Sequence, residues 1–337
     1  MSRRLIALTV VLAVFLSACS AAPTPSPSAV VSSDVLATVG GIPLSAGELR
    51  YLTTVAVGMG IEVIDWDGMI NGVPARRYIL EEALSLATAS YVTGMKAKEL
   101  GFSLTDEEQG EIDWDIALEA DYLGGREAFL EWLDSSGITE ELYRFYSYEV
   151  PFLQQKMITG LFGTGSQHEP SEAQERDYYK NNYLTVSYIF ISATDDYGEP
   201  LFGDSYNTQR SIADALRRQA VGGSDFAELV ETHGQDYLMS LSPAGRTLPR
   251  GELNDAAEAA VNALRDGEIS ETVEADGGFF VLKKLPADWT WFEQNREDVW
   301  YLCAEEAFHK MLAEWCADVE TTVSGTYYGQ NPQDWIE

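Results

Sequence analysis

A chain of 337 residues with 45% apolar side chains is long enough to bury the cores of two domains, so charge sets the first limits on what it does. Fifty-four acidic residues against 22 basic ones give a formal charge of −32, and losing a leader that holds Arg3 and Arg4 but no acid takes it to −34. So negative a surface repels phosphate backbones and anionic headgroups, which argues against nucleic acid as a partner and against electrostatic docking on a membrane; it serves either plain solubility or attraction of basic polypeptides.

The chain opens with Arg3 and Arg4, an apolar run from Leu5 to Leu16 that is short for a bilayer span, and then Leu16-Ser17-Ala18-Cys19. This resembles a bacterial lipoprotein signal. The resemblance implies a signal peptide over 1–18 and a mature N-terminus at Cys19, whose thiol carries a diacylglyceryl group; several acyl chains hold a protein firmly at a membrane. The alternatives are an ordinary secretory signal or an uncleaved anchor with an incidental cysteine. The following SAAPTPSPSAVVSSD is small, polar and proline-rich, and cannot bury enough surface to offset the entropy of ordering it. It predicts a disordered tether over 19–34.

Folded structure is expected from Val35. Residues from Leu36 to Leu44 read as two strands about Gly40-Gly41, and Ser45 with Glu48 forms a capping box that starts a helix. A helix over about 74–99 has Ile79, Ala83, Leu86, Tyr91 and Met95 on one side, and Gly101 ends it. Thr105 with Glu108 opens a helix whose inner residues are Ile112, Ile116 and Ala120; helices over 126–133 and 139–161 follow. Pro170 and a box from Ser171 to Gln174 open the helix through Tyr178 and Tyr179.

From Val186 the pattern changes. Val186 to Ile191 and Phe279 to Leu282 read as buried strands of one small sheet. Between them lie a helix over 207–219, with Ile212, Ala215, Leu216 and Gln219 along one face, and Gly222-Gly223. Ser224 or Asp225 then starts a short helix with Phe226, Leu229 and Val230 inward. A long loop follows, and an alanine-rich helix over 254–264 leads to Asp266-Gly267. A last helix over 292–319 carries Trp300, Leu302, Ala307, Met311, Leu312 and Trp315. The tail, 323–337, has no clear period and is either docked or disordered.

Two cysteines, Cys303 and Cys316, lie on that last helix, roughly 20 Å apart at 1.5 Å per residue. They are core or groove residues unless the helix breaks between them and lets them bridge. The three histidines, His168, His233 and His309, make no metal-ligand spacing with Cys or Asp, so neither a metal nor a cofactor is expected. Asp65 and Asp67, or Asp113 and Asp115, are too closely spaced to share a helix face. No phosphate-loop, nucleophile-elbow or zinc-protease motif occurs.

The order Val186-Ser-x-Ile-x-Ile, Gly222-Gly-Ser-Asp-Phe-Ala-Glu-Leu, Arg250-Gly-Glu-Leu, Leu264-Arg-Asp-Gly-Glu-Ile-Ser and Gly278-Phe-Phe-Val-Leu-Lys resembles a parvulin-type (PpiC-type) peptidyl-prolyl isomerase domain. The N-terminal hairpin, Glu99 to Glu108 and Ser171 to Asn182 resemble PrsA- and SurA-like extracytoplasmic folding factors, and the lipobox brings the chain nearer the PrsA-type foldase lipoproteins. The resemblance implies an α+β protein: a helical chaperone domain over 35–183, completed by a C-terminal helix over 287–322 packing back on it, with a parvulin-like domain inserted at 184–286.

The resemblance also implies a proline pocket furnished with two histidines, a Cys or Asp, and Met and Phe side chains. This sequence departs from that pattern. Tyr188 and Phe280 stand at the histidine positions, Asp236 matches, Leu253 replaces the methionine, and the two pocket phenylalanines fall on Ala257 and Asn262. The glycine-rich loop is replaced by residues 238–248. Tyr188, Asp236, Leu253 and Phe280 are therefore the candidate site residues. Two functions remain open: a membrane-tethered isomerase acting on unfolded exported polypeptides, or a catalytically degenerate holdase. The chain has 8 Trp, 17 Tyr and 13 Phe, among them Trp66, Trp114, Trp132, Tyr143, Phe145, Tyr146, Tyr148, Phe152, Trp289, Trp291 and Trp300. These serve either as core or as exposed client-holding patches.

Overall fold

The computed structural model describes residues 35–58, 65–275 and 277–336, so the expected signal, Cys19 and tether lie outside the described residues. The chain forms two compact units. One combines the residues up to Glu169 with Ala304–Glu337, and the other is Pro170–Cys303.

The first unit begins with β1 (Val35–Val39) and β2 (Ile42–Ser45), antiparallel with Val39 opposite Ile42. Gly40 and Gly41 turn at φ of 56° and 83°, the left-handed region that both central residues of this tight turn require. Ser45 closes the expected box on α1 (Ala46–Gly58): its N–H and hydroxyl donate to Glu48 Oε2 at 2.9 and 2.8 Å. The short pair β3 (Met69–Ile70) and β4 (Val73–Pro74) leads into α2 (Ala75–Leu100), ended by Gly101 at φ 80°. Ile79, Ala83, Leu86 and Tyr91 are buried on α2, and Met95 is half-buried. α3 (Asp106–Tyr122) carries the Thr105–Glu108 box and buries Ile112, Ile116 and Ala120; α4 (Arg126–Ser136) follows.

The helix expected over 139–161 is in three pieces: α5 (Glu140–Arg144), a π-helical turn over Phe145–Glu149, and α6 (Val150–Phe162). Pro151 supplies the reason. It has no N–H for the Ser147 carbonyl and its ring crowds that carbonyl, so the turn widens there.

In the second unit Ser171 and Gln174 cap α7 (Glu172–Asn182), which runs into β5 (Tyr183–Ser192). Then come α8 (Gly203–Val221), α9 (Phe226–His233), a helical turn α10 (Tyr237–Ser240), β6 (Arg246–Pro249), α11 (Asp255–Asn262), β7 (Val273–Ala275) and β8 (Gly278–Leu285). The strands make one antiparallel sheet in the order β6-β5-β8-β7, with Tyr188 opposite Leu282 and Phe190 opposite Phe280. The face expected on α8 is corrected: Ala213, Leu216 and Ala220 are buried, whereas Ile212 and Gln219 are exposed. Two alanines let the helix approach the sheet closely, and Ile212 sits one residue off that row.

The last expected helix is also interrupted. α12 (Trp289–Gln294) ends at Asn295, and α13 (Arg296–Asp318) begins after it. Val299, Ala304, Phe308 and Leu312 are its buried row, while Trp300, Leu302, Ala307, Met311 and Trp315 are half-buried. α13 runs unbroken past Cys303 and Cys316, both half-buried, so no bend brings them within bridging distance. Among the aromatics singled out from sequence, Tyr143, Tyr146 and Tyr148 are buried, Trp114 is exposed, and the others are half-buried.

The tail is docked on the first unit. β9 (Thr321–Val323) pairs with β1, placing Val323 opposite Ala37. Tyr327 is fully buried and donates its hydroxyl to the Leu80 carbonyl at 2.8 Å. Arg76 donates to Asn331 Oδ1 at 3.1 Å and Gln333 Oε1 at 3.0 Å, and Arg77 lies 5.0 Å over the Tyr328 ring. Replacing Tyr327 with Ala should therefore cost ~3–5 kcal/mol, as for other buried aromatics. In a unit of this size that lowers the thermal midpoint by on the order of 10 °C, measured by calorimetry against a Tyr122→Ala control at an exposed site.

Candidate functional site

β5 is the spine of the second unit. Its sequence, YLTVSYIFIS, is β-branched and aromatic, and side chains on both of its faces are buried, as expected for a central strand. β8 pairs with it from Thr185 to Ser192, but β6 covers only Tyr183 to Val186 on the other edge. Beyond that point the chain after α9 takes over: Gln235 N–H donates to the Phe190 carbonyl at 2.9 Å, and Ser192 N–H donates to Gln235 Oε1 at 2.7 Å. The exposed half of the strand edge is thereby satisfied by the segment that also delivers Asp236.

The register divides the side chains. Ser187, Ile189, Ile191, Phe279, Val281 and Lys283 share one face, where the Tyr206 ring meets Phe279 at 5.1 Å and Lys283 lies 5.6 Å over Phe226. Tyr188, Phe190, Phe280 and Leu282 share the other. There Tyr188 meets Phe280 edge-on at 5.5 Å, Phe190 meets Phe280 at 4.7 Å, and Lys284 Nζ donates to the Leu264 carbonyl just beyond α11 at 2.9 Å.

Asp236 caps α10 by accepting from Met239 N–H at 2.6 Å, and its carboxylate lies close enough to Tyr188 to act on its hydroxyl. Burial, and next the Asp236 charge, push the Tyr188 pKa up to about 12. At neutral pH Tyr188 is therefore a neutral donor, not a base. Arg246 stands near enough to oppose that shift and forms an ion pair with Glu252 at 3.7 Å.

The four expected site residues thus belong to one neighbourhood, and three of them lie inside it. Tyr188, Leu253 and Phe280 are each less than a tenth exposed and join one core cluster with Met239, Leu248, Ala257 and Val261. Ala257, at an expected phenylalanine position, is fully buried without an aromatic ring. Asn262, at the other, is exposed and accepts from Arg250 Nη1 at 2.7 Å. A cleft of about 150 Å³ lined by Ser187, Phe226, Pro243 and Lys283 involves the opposite face of the sheet and none of the four.

Sequence reasoning missed Met239 and the Arg246–Glu252 pair, because residues 238–248 read as loop. A signal was present: Asp236 three residues before Met239 is an N-cap spacing, and Arg246-Thr247-Leu248 alternates as a strand does.

Residues 193–285 match the family model "Rotamase: PPIC-type PPIASE domain". The match includes Asp236, Leu253 and Phe280 and begins just beyond Tyr188. That stretch is therefore similar to PPIC-type domains, and part of the chain is similar to the chaperone SurA. Chaperone SurA of Burkholderia thailandensis is 31% identical over 83 residues, 25% of this chain and 18% of that protein. Chaperone SurA of Burkholderia lata is 31% identical over 77 residues, 23% and 17% of the respective chains. The matched segment thus spans less than a fifth of the length of these curated relatives. Among solved structures, the peptidylprolyl isomerase PrsA of Bacillus cereus aligns over 82% of this chain and 98% of its own at 19% identity, TM-score 0.35. PrsA of Bacillus anthracis aligns over 68% and 94% at 19% identity, TM-score 0.33.

The burial of Tyr188 beside the Asp236 charge makes a prediction in pH. A tyrosine whose folded pKa is raised adds stability in full below pH 10 and loses it as pH climbs to about 12, because the unfolded chain ionises first. Tyr188→Phe removes the group that titrates, so the difference in stability between wild type and variant, measured by urea denaturation, should be flat below pH 10, and wild type should lose stability relative to the variant between pH 10 and about 12.

Proposed function

We propose that this chain is an extracytoplasmic folding factor for exported polypeptides, and that residues 184–286 act as a peptidyl-prolyl cis-trans isomerase of parvulin type. The observation that carries this reading is the PPIC-type match over residues 193–285, in a module where Tyr188 and Phe280 share one sheet face and Asp236 lies beside Tyr188. The barrier to X-Pro rotation, ~18–20 kcal/mol, comes from partial double-bond character of the amide. Lowering it needs no nucleophile and no net proton transfer. It needs apolar contact for the proline ring and a polar group that binds the twisted amide better than either planar one. Phe280, Phe190 and Leu253 supply the first, and the Tyr188 hydroxyl, held protonated beside Asp236, supplies the second.

The test is exchange NMR on short X-Pro peptides with the chain from Ser20 onward. Acceleration should fall at least about tenfold, or ~1.4 kcal/mol of transition-state binding, in a Tyr188→Ala, Phe280→Ala double variant. No acceleration of any peptide would remove the isomerase reading.

A second reading is carried by burial: Tyr188, Leu253 and Phe280 are packed into the core, and Ala257 and Asn262 stand where a proline cup has aromatics. It makes the module a catalytically degenerate holdase, and suppression of client aggregation without isomerase activity is its expected signature.

The location follows from the N-terminal sequence. Leu16-Ser17-Ala18-Cys19 supports lipid attachment at Cys19, with residues 20–34 as the tether that lets the folded part stand off the bilayer. In an expressing bacterium, Cys19→Ala should abolish incorporation of labelled palmitate and shift the protein out of the detergent-soluble membrane fraction; unchanged labelling would remove the anchor.

A further inference from the structure

α3 is apolar on two opposite sides. Ile112, Ile116 and Ala120 face the core of their unit. Trp114, Leu118 and Tyr122, also four residues apart, are 61%, 53% and 90% exposed. At about 100° per residue the second row is centred roughly 160° from the first, so it is not the fringe of the buried face. Three large apolar side chains aligned on an uncovered helix face are the mark of a surface that receives something.

The charges around the stripe decide what it receives. α3 carries eight carboxylates in 17 residues and no lysine or arginine. Of the eight, Glu108 pairs with Lys156, Asp113 with Arg144, and Glu119 accepts from the Tyr143 and Tyr148 hydroxyls, all within their own unit. Glu107, Glu111 and Asp121 are exposed beside the apolar row. Glu107 and Glu111 continue its line seven and three residues before Trp114, and Asp121 lies three residues after Leu118. A second copy of this chain would set the same carboxylates against one another, and an anionic membrane would be repelled.

We propose that the outer face of α3 is a docking surface for polypeptide segments that combine apolar or aromatic side chains with lysine or arginine. The inference rests on the reading that the chain handles unfolded polypeptides, and it gives that activity a place and a selectivity. Trp114, Leu118 and Tyr122 cover the apolar side chains, the two aromatic faces also attract cations, and Glu107, Glu111 and Asp121 pair with the basic groups.

The test uses the full chain and three labelled 16-residue unfolded peptides of leucine and phenylalanine alternating with lysine, serine or glutamate. Fluorescence anisotropy should give the lysine peptide about tenfold tighter binding than the serine peptide, and the glutamate peptide none. A Trp114→Ser, Leu118→Ser, Tyr122→Ser variant should lose about tenfold or more for the lysine peptide. A Glu107→Gln, Glu111→Gln, Asp121→Asn variant should lose several-fold and flatten the salt dependence. Because all six side chains are exposed, both variants should keep the wild-type thermal midpoint. Lysine-peptide affinity untouched by either variant, or equal affinity for the serine peptide, would overturn the proposal. So would a concentration-dependent dimer, in sedimentation, that the serine variant abolishes. If the variants bind like wild type while wild type still suppresses client aggregation, the surface is wrong and the folding-factor reading stands. If wild type neither binds the peptides nor suppresses aggregation, both fall.

Discussion

The pairing of β5 with β8 is the constraint on which the second unit depends. It runs in one register from Thr185–Leu285 to Ser192–Gly278, and both faces of β5 are packed. A slip of one residue would exchange the faces, sending Tyr188 and Phe280 toward the side of Tyr206 and Phe226, and Ile189 and Val281 toward Leu253 and Met239. The far edge of β5 tightens the constraint further. Once β6 ends its pairing, Gln235 supplies both partners that Phe190 and Ser192 need, so the segment carrying Asp236 can sit in only one place along the strand. Site geometry here is a consequence of backbone hydrogen-bond accounting.

The first unit is organised instead around a buried carboxylate. Glu48 is 5% exposed, and a charge so placed persists only if donors surround it. Four do: the Ser45 N–H and hydroxyl, and the Tyr91 and Tyr146 hydroxyls. These join the end of β2, the middle of α2 and the π turn through one side chain. Burial raises the Tyr91 and Tyr146 pKa values, and the adjoining carboxylate keeps both hydroxyls protonated as donors. The π turn matters for this. It sends Tyr146 to Glu48 and Tyr148 to Glu119, two residues apart in sequence and on different acceptors.

Local signals in the sequence carried most of the elements. The three capping boxes at Ser45, Thr105 and Ser171, the Gly40-Gly41 turn and the Gly101 cap are decided within four or five residues, and each stands where the pattern placed it. What depended on tertiary context was less legible. The periodicity of α8 put Ile212 inside, but close approach to the sheet selected the alanine row instead. The apolar pattern over 139–161 concealed a π turn that only Pro151 betrays, and Asn295 divides what read as one helix. At the candidate site, motif order picked out Tyr188, Asp236, Leu253 and Phe280, of which Tyr188 and Phe280 share a sheet face and Asp236 lies beside Tyr188. It could not reveal that three of them are covered, because burial belongs to the whole cluster, which also draws in Met239, Leu248, Ala257 and Val261 from separate elements.

That covering has a physical logic. Two aromatic rings are missing where Ala257 and Asn262 stand, and a packed interior does not leave such a volume empty. Asn262 is exposed and accepts from Arg250, which also donates to the Asn181 carbonyl. Ala257 is buried in the cluster that also holds Tyr188, Phe280 and Met239, whose unbranched chain suits an irregular space. α10 pays for the inward turn of Met239 by presenting its other residues outward: Tyr237 and Leu238, with Leu241 just beyond, are all more than half exposed. These three side chains put an apolar patch on the surface of the module. Next to it remain the Asp236 carboxylate and the Arg246–Glu252 pair, so a polypeptide meeting this module meets apolar and charged groups together, on an exposed helical turn.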